Sequence, residues 1–258
     1  MSSRVNWSRD DHIIAFNLYC KIPFGQIHQT NPKIIELGRL LGRTAGSVSL
    51  KLSNFARLDP ELRSRGIAGM SHGAKGEETV WNEFYLHPDD LAFESERLLA
   101  QRRGVSIEEV AGIPVDELPR EGREREAVVR VRVNQQFFRA AVLSAYDFRC
   151  CVTGLDVPEL LNASHILSWA SSPESRVDPR NGLCLNALHD RAFDRGLMFI
   201  RERNEVRFSD ELRSKLARKS GDRALGWMLS FEGLGISMPR RFRPDPGFLA
   251  QHRARCVA

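Results

Sequence analysis

The chain contains no apolar run approaching the roughly 20 residues that a bilayer-spanning helix needs. Its first residues, Met1 to Trp7, lack the apolar segment of a secretory signal. Neither a membrane protein nor a secreted one is expected, and the reading is a soluble chain of the cytoplasm. Internal repeats of roughly 20 to 50 residues and low-complexity tracts are also missing, which sets aside a solenoid or array. Cysteine is sparse: Cys20, Cys150, Cys151, Cys184 and Cys256 are odd in number and lack the spacing of a disulfide scaffold. Reduced thiols are expected. Disorder and fibrous repeats are excluded by ordinary globular proportions, 42% hydrophobic and 28% charged residues over 258 positions. That length suits one or two domains.

What is present in excess is positive charge. Lys plus Arg outnumber Asp plus Glu by 38 to 33, giving a pI near 9.1. Residues 191–258 hold 15 basic and 8 acidic side chains, net +7, so the remainder nets −2. An anionic partner would meet the C-terminal end.

Helical spacing dominates the first hundred residues. Ser8, followed by Asp10 and Asp11, is a suitable start for a helix with Ile13, Phe16 and Cys20 on its apolar face. Pro32 opens a second, with Ile34, Leu37 and Leu41, ended by Gly42. Thr44 caps a third, carrying Val48, Leu52 and Phe55. This outline is that of a helix-turn-helix unit, and Lys51 and Asn54 on the third helix are of types that reach phosphates or base edges. Gly66 to Gly76 reads as a loop, and Glu77 to Gln101 as helices broken at Pro88. The charged, proline-bearing stretch 102–126 reads as a linker. The expected division is therefore a helical domain at 1–101, a linker at 102–126 and a second domain at 127–258. After the linker, Val129-Arg130-Val131-Arg132-Val133 alternates strictly, as a strand would, with two outward arginines suited to phosphates.

The informative segment runs from Arg149 to Ile200. Ala163-Ser164-His165-Ile166-Leu167-Ser168-Trp169 is an apolar strand interrupted by one imidazole. Asn181-Gly182 is a turn dipeptide, Leu183-Cys184-Leu185 a short apolar run, and a helix beginning near Asn186 would carry His189. Strand, turn, strand and helix can bring His165 and His189 to one cleft. Phosphodiester hydrolysis needs an activated water and a cation against the developing charge, and imidazoles can serve as base and as metal ligand.

These residues, in this order, resemble the HNH endonuclease family, the ββα-metal nucleases, in a branch that includes restriction enzymes. The fold class implied is α+β, a helical N-terminal domain followed by the ββα-metal domain. By this resemblance His165 is the general base, Asn181 holds the loop, and His189 binds one divalent metal, Mg2+ or Mn2+. The implied substrate is double-stranded DNA, cut to 5′-phosphate and 3′-hydroxyl ends in a restriction or defence role, and Arg176 would stand near its backbone. Two departures matter. The position before the base, often a metal ligand in the family, is Ser164, so either the ion keeps more waters or a nearby carboxylate such as Asp178, Asp190 or Asp194 contributes. The paired Cys-x-x-Cys sites of zinc-bearing members are incomplete, since Cys151 is followed by Gly154 and the second pair is replaced by Leu185 and Leu188. No structural zinc is expected. Cutting both strands is compatible with a homodimer, although no sequence feature demands one. The competing reading is a non-catalytic DNA-binding regulator with a decayed nuclease domain. Retention of His165, Asn181 and His189 argues against decay, and Ser164 slightly for it.

Overall fold

The computed structural model describes residues 6–66, 75–218 and 221–256. Most of the expected 66–76 loop, residues 67–74, lies outside the described residues, as does Lys219. Two compact units are present, Met1–Ala141 and Val142–Ala258. Among the described residues the first is helical and the second combines helices with two small antiparallel sheets, an α+β arrangement.

In the first unit, helix α1 (Arg9–Lys21) starts with a capping box. The Ser8 hydroxyl accepts from the Asp11 N–H at 3.1 Å, while Asp11 accepts from the Ser8 N–H at 3.2 Å. Helix α2 (Pro32–Leu40) begins under an Asn31 cap, and Gly42, at φ +63°, makes the turn after it. Thr44 then caps α3 (Ala45–Leu58), and a short α4 (Pro60–Ser64) follows. Helices α5 (Lys75–Phe84) and α6 (Pro88–Arg103) stand where the break at Pro88 implies. Ile13, Phe16, Tyr19, Val48, Leu52 and Phe55 are buried together, and the Phe16 ring stacks on Phe55 at 4.9 Å and meets Trp81 at 5.0 Å. Each such side chain contributes about 1.5–3 kcal/mol by leaving water.

Three expectations change here. Residues 102–126 are folded into the first unit: α7 (Ile107–Val110) packs on α6, Ile113 is buried, and Arg125 pairs with Glu108 at 2.8 Å. The division between units falls at Ala141, inside α8 (Arg123–Ala145). The expected strand at 129–133 is part of that helix. Val129 and Val133 are four apart and both buried, as are Phe137 and Ala141 after them, whereas Val131 is 41% exposed. A helix and a strand both bury the outer valines, and the middle one separates them. Arg130 and Arg132 therefore project from a helix and pair with Asp90 at 3.1 Å and Glu117 at 2.9 Å.

Lys51 and Asn54 also differ from expectation. Both are buried rather than presented outward, because Glu77 of α5 draws them in: Asn54 Nδ2 donates to Glu77 at 2.8 Å and Lys51 forms an ion pair with it. The Lys51 ammonium also lies 4.9 Å from the Trp7 ring. Burial alone would raise the Glu77 pKa, but hydrogen bonds from Lys51 and Asn54 and the Lys51 charge leave it below the ordinary carboxylate range.

The second unit opens with a knuckle at Cys150 to Gly154, turned by Gly154 at φ +74°. Strands β1 (Leu161–His165) and β2 (Gly182–Asn186) pair antiparallel, Leu161 opposite Asn186 and His165 opposite Gly182. Asn186 caps α9 (Ala187–Asp194), which packs on both strands. A second hairpin joins β3 (Met198–Ile200) to β4 (Val206–Phe208) through Arg203 and Asn204, at φ 64° and 60°. Ser209 accepts from Leu212 N at 3.3 Å to begin α10 (Asp210–Arg218), followed by α11 (Arg223–Leu229). The basic C-terminal stretch is not an extended tail. Arg241 and Phe242 are buried, and residues Pro246–Cys256 form α12, packed on β3.

Candidate active site

The site is built on β1, the loop that leaves it, and α9. His165 ends β1, half-buried, and its Nε2 lies 2.9 Å from the carbonyl oxygen of Arg176. An N–H must point at that carbonyl, so Nδ1 is the basic nitrogen of the neutral ring. The Trp169 ring meets the imidazole edge-on at 5.7 Å. Arg176 is itself anchored to Trp169, donating from Nε to its carbonyl at 2.5 Å with its guanidinium 5.4 Å from the ring. Burial lowers the His165 pKa, which the Arg176 carbonyl and the Asp190 charge partly oppose. The ring is thereby kept neutral at pH 7.

Asn181 is fully buried and clasps the β1–β2 loop. Its Oδ1 accepts from Leu167 N at 2.8 Å, and its Nδ2 donates to the carbonyls of Leu167 and Ser175, both at 3.1 Å. Backbone from Leu167 to Ser175, next to the base, is held by one side chain.

His189 lies in the first turn of α9. It is fully buried, with Phe231 at 5.4 Å, Trp227 at 5.5 Å and Phe208 at 6.5 Å between ring centroids. Its Nδ1 faces the Asn186 side chain, 2.9 Å from Nδ2 and 3.1 Å from Oδ1, while Nε2 has no hydrogen-bond partner among the described residues. Burial pushes its pKa down to about 4, which the Met228 backbone partly opposes. The cleft described beside His165 does not include His189 among its lining residues.

Asp190, the next residue on α9, faces β1 instead. Asn162 Nδ2 donates to its carboxylate at 2.8 Å, and its charge reaches His165. Of the other carboxylates, Asp178 is engaged with Arg180 at 2.7 Å, and Asp194 is exposed, 3.6 Å from Arg191. Among the described residues no group of three or more His, Cys, Asp or Glu could hold an ion as an all-protein cage. Magnesium-like ions need no such cage: they bind one or two carboxylates and complete their shell with water and substrate phosphate. Asp190 fits that pattern.

A cleft of about 220 Å3 lies beside His165, lined also by Ser168, Asp194, Arg195, His252 and Arg255. Arg255 donates to the Ile166 carbonyl at 3.2 Å. The His252 ring stacks on Phe193 at 3.8 Å and 6°, with Nε2 3.1 Å from the Phe193 carbonyl, and burial pushes its pKa down to about 4.

Residues 150–201 match the family model of the HNH endonucleases. The chain carries an HNH endonuclease domain. No curated protein matches the chain. The match covers the knuckle, β1, the Asn181 clasp, β2, α9 and β3, so the HNH domain and the second unit coincide over their shared residues. HNH nucleases generally use a divalent metal and act on DNA.

In this HNH domain Cys150, Cys151 and Cys184 are buried thiols. Cys150 Sγ accepts from the Asn186 N–H at 3.3 Å, and burial pushes the Cys151 thiol well above its usual range. Asn162 and Asn186 carry no sequence signal of a site role, because each acts through a neighbour brought close by folding. His252 and Arg255 belong to a C-terminal stretch that interleaves basic and aromatic residues, as phosphate-tracking segments do.

Proposed function

We propose that this protein is a metal-dependent DNA endonuclease in which His165 is the general base. The observation that carries this reading is the bond from His165 Nε2 to the Arg176 carbonyl at 2.9 Å, which turns a neutral imidazole toward a cleft flanked by arginines. His165 Nδ1 takes a proton from water as the water oxygen bonds to phosphorus and the bond to the 3′-oxygen breaks, leaving 5′-phosphate and 3′-hydroxyl ends. Arg195 and Arg255 hold the phosphate in the cleft. Asn181 keeps the loop behind the base in place, and Arg176 orients the base through its carbonyl.

Asp190 would hold a divalent cation, which would supply charge against the phosphate and the departing oxygen. The reading thus places the metal on Asp190 rather than on His189, whose buried ring lies 5.5 Å from that of Trp227. The resemblance to restriction enzymes supports a defence role against foreign DNA.

The test is incubation of plasmid DNA with the full chain plus magnesium or manganese, with and without EDTA. Nicking or linearisation that EDTA abolishes is expected. Binding without cleavage under every metal and with unmodified, methylated and hydroxymethylated DNA would favour the non-catalytic regulator instead.

A further inference from the structure

A second cleft in the second unit shares no lining residue with the one beside His165 and has no part in the chemistry above. It encloses about 410 Å3 between β3, β4, α10 and α12, and four arginines line it: Arg201, Arg207, Arg213 and Arg253. Phe199 and Phe208, both buried, form its apolar wall.

The arginines are only partly answered by carboxylates. Arg201 is 3.8 Å from Glu202, and Arg207 is 3.7 Å from Glu205 and 3.9 Å from Glu232, all longer than an N–H···O hydrogen bond. Arg207 Nε is buried without a hydrogen-bond partner among the described residues. Arg253 meets Glu202 at 2.8 Å, and Arg213 meets Glu232 at 3.0 Å and also pairs with Asp210. Phosphate oxygens satisfy guanidinium forks in pairs, and exposed carboxylate pairs compete with them weakly.

Helix α12 joins this cleft to the base. His252, Arg255 and Cys256 line the His165 cleft, while Arg253 lines the arginine cleft. We infer that the arginine cleft is a second nucleic-acid site, which grips the sugar-phosphate backbone of duplex DNA at a distance from the bond being cut. The cavity is larger than one phosphate ion needs, and its aromatic wall suits a sugar rather than a bare anion. This inference rests on the nuclease reading for the identity of the polyanion.

The test is fluorescence anisotropy of a labelled duplex across a salt series, using the full chain with His165→Ala so that no cutting intervenes. Adding Arg207→Gln, Arg213→Gln and Arg253→Gln together is expected to lower affinity at least tenfold. The slope of log K against log salt should also shrink by about two to three, since each phosphate contact contributes roughly 0.9. Arg213→Gln alone, which touches only a partly exposed side chain, should cut the slope by about one and serves if the triple variant melts early. Unchanged affinity and slope in both variants, or no duplex binding by the parent, would overturn the site. If the chain with His165 intact cuts DNA while both variants bind normally, this site is removed and the nuclease reading stands. Binding lost with these arginines, in a chain that never cuts with His165 intact, does the reverse.

Discussion

At the scale of single residues, the chemistry depends on which way three side chains of the HNH segment turn. Their identities were readable, because an imidazole in an apolar strand, an Asn-Gly pair and a histidine on a capped helix form a recognisable order. Orientation was not. Neighbours on a helix point about 100° apart, so His189 and Asp190 cannot both face β1, and only the bond from Asn162 shows that Asp190 does. Asp190→Asn should therefore raise the magnesium or manganese concentration needed for half-maximal cleavage at least tenfold. His189→Phe should leave that concentration within about threefold of the parent; the opposite ranking in a metal titration would return the ligand role to His189. Asn181 acts differently, through structure. Its Ala variant loses four buried hydrogen bonds and should cost about 2–4 kcal/mol in urea unfolding, together with most of the cleavage rate.

At the scale of elements, caps and turns were the most legible features. Ser8, Pro32, Gly42, Thr44 and Asn186 stand at element ends, because each satisfies or relieves backbone groups locally. Features decided by partners were not legible. The alternation at Val129 to Val133 suits a strand or one face of a helix, and Lys51 turns inward only because Glu77, far along the chain, receives it. That packing is tight: a Cβ added at Gly76 would lie 2.7 Å from His12 Cε1. Gly76→Ala should destabilise the first unit by about 1–3 kcal/mol, read by thermal or chemical unfolding. Helix α12 provides a pH test. His252 is held near pKa 4 when folded against 6.5 ordinarily, so between those values the unfolded chain binds the extra proton. Stability from this group is complete above pH 6.5 and lost as pH falls toward 4, a cost of about 2 kcal/mol at pH 5. His252→Phe should show that much less loss between pH 7.5 and 5, and an identical loss would place the proton elsewhere.

At the scale of the whole molecule, the excess of arginine toward the C-terminal end now has positions. Arg195 and Arg255 line the cleft at His165, and Arg201, Arg207, Arg213 and Arg253 line the second cleft, all within the unit that carries the HNH domain. The arginines at 130 and 132, by contrast, belong to the first unit and face carboxylates. Among the described residues no helix is long and apolar enough to cross a membrane. Composition could locate the charge but not sort it, because a paired arginine and one lining a cleft look alike in a sequence. If His165 is the base of a metal-dependent nuclease, its loss slows the cutting step itself, which single-turnover cleavage of duplex DNA measures. His165→Ala should slow the cutting step by about 10²–10⁴-fold with duplex affinity unchanged. Cleavage as fast as the parent's, in the same metal, would contradict it.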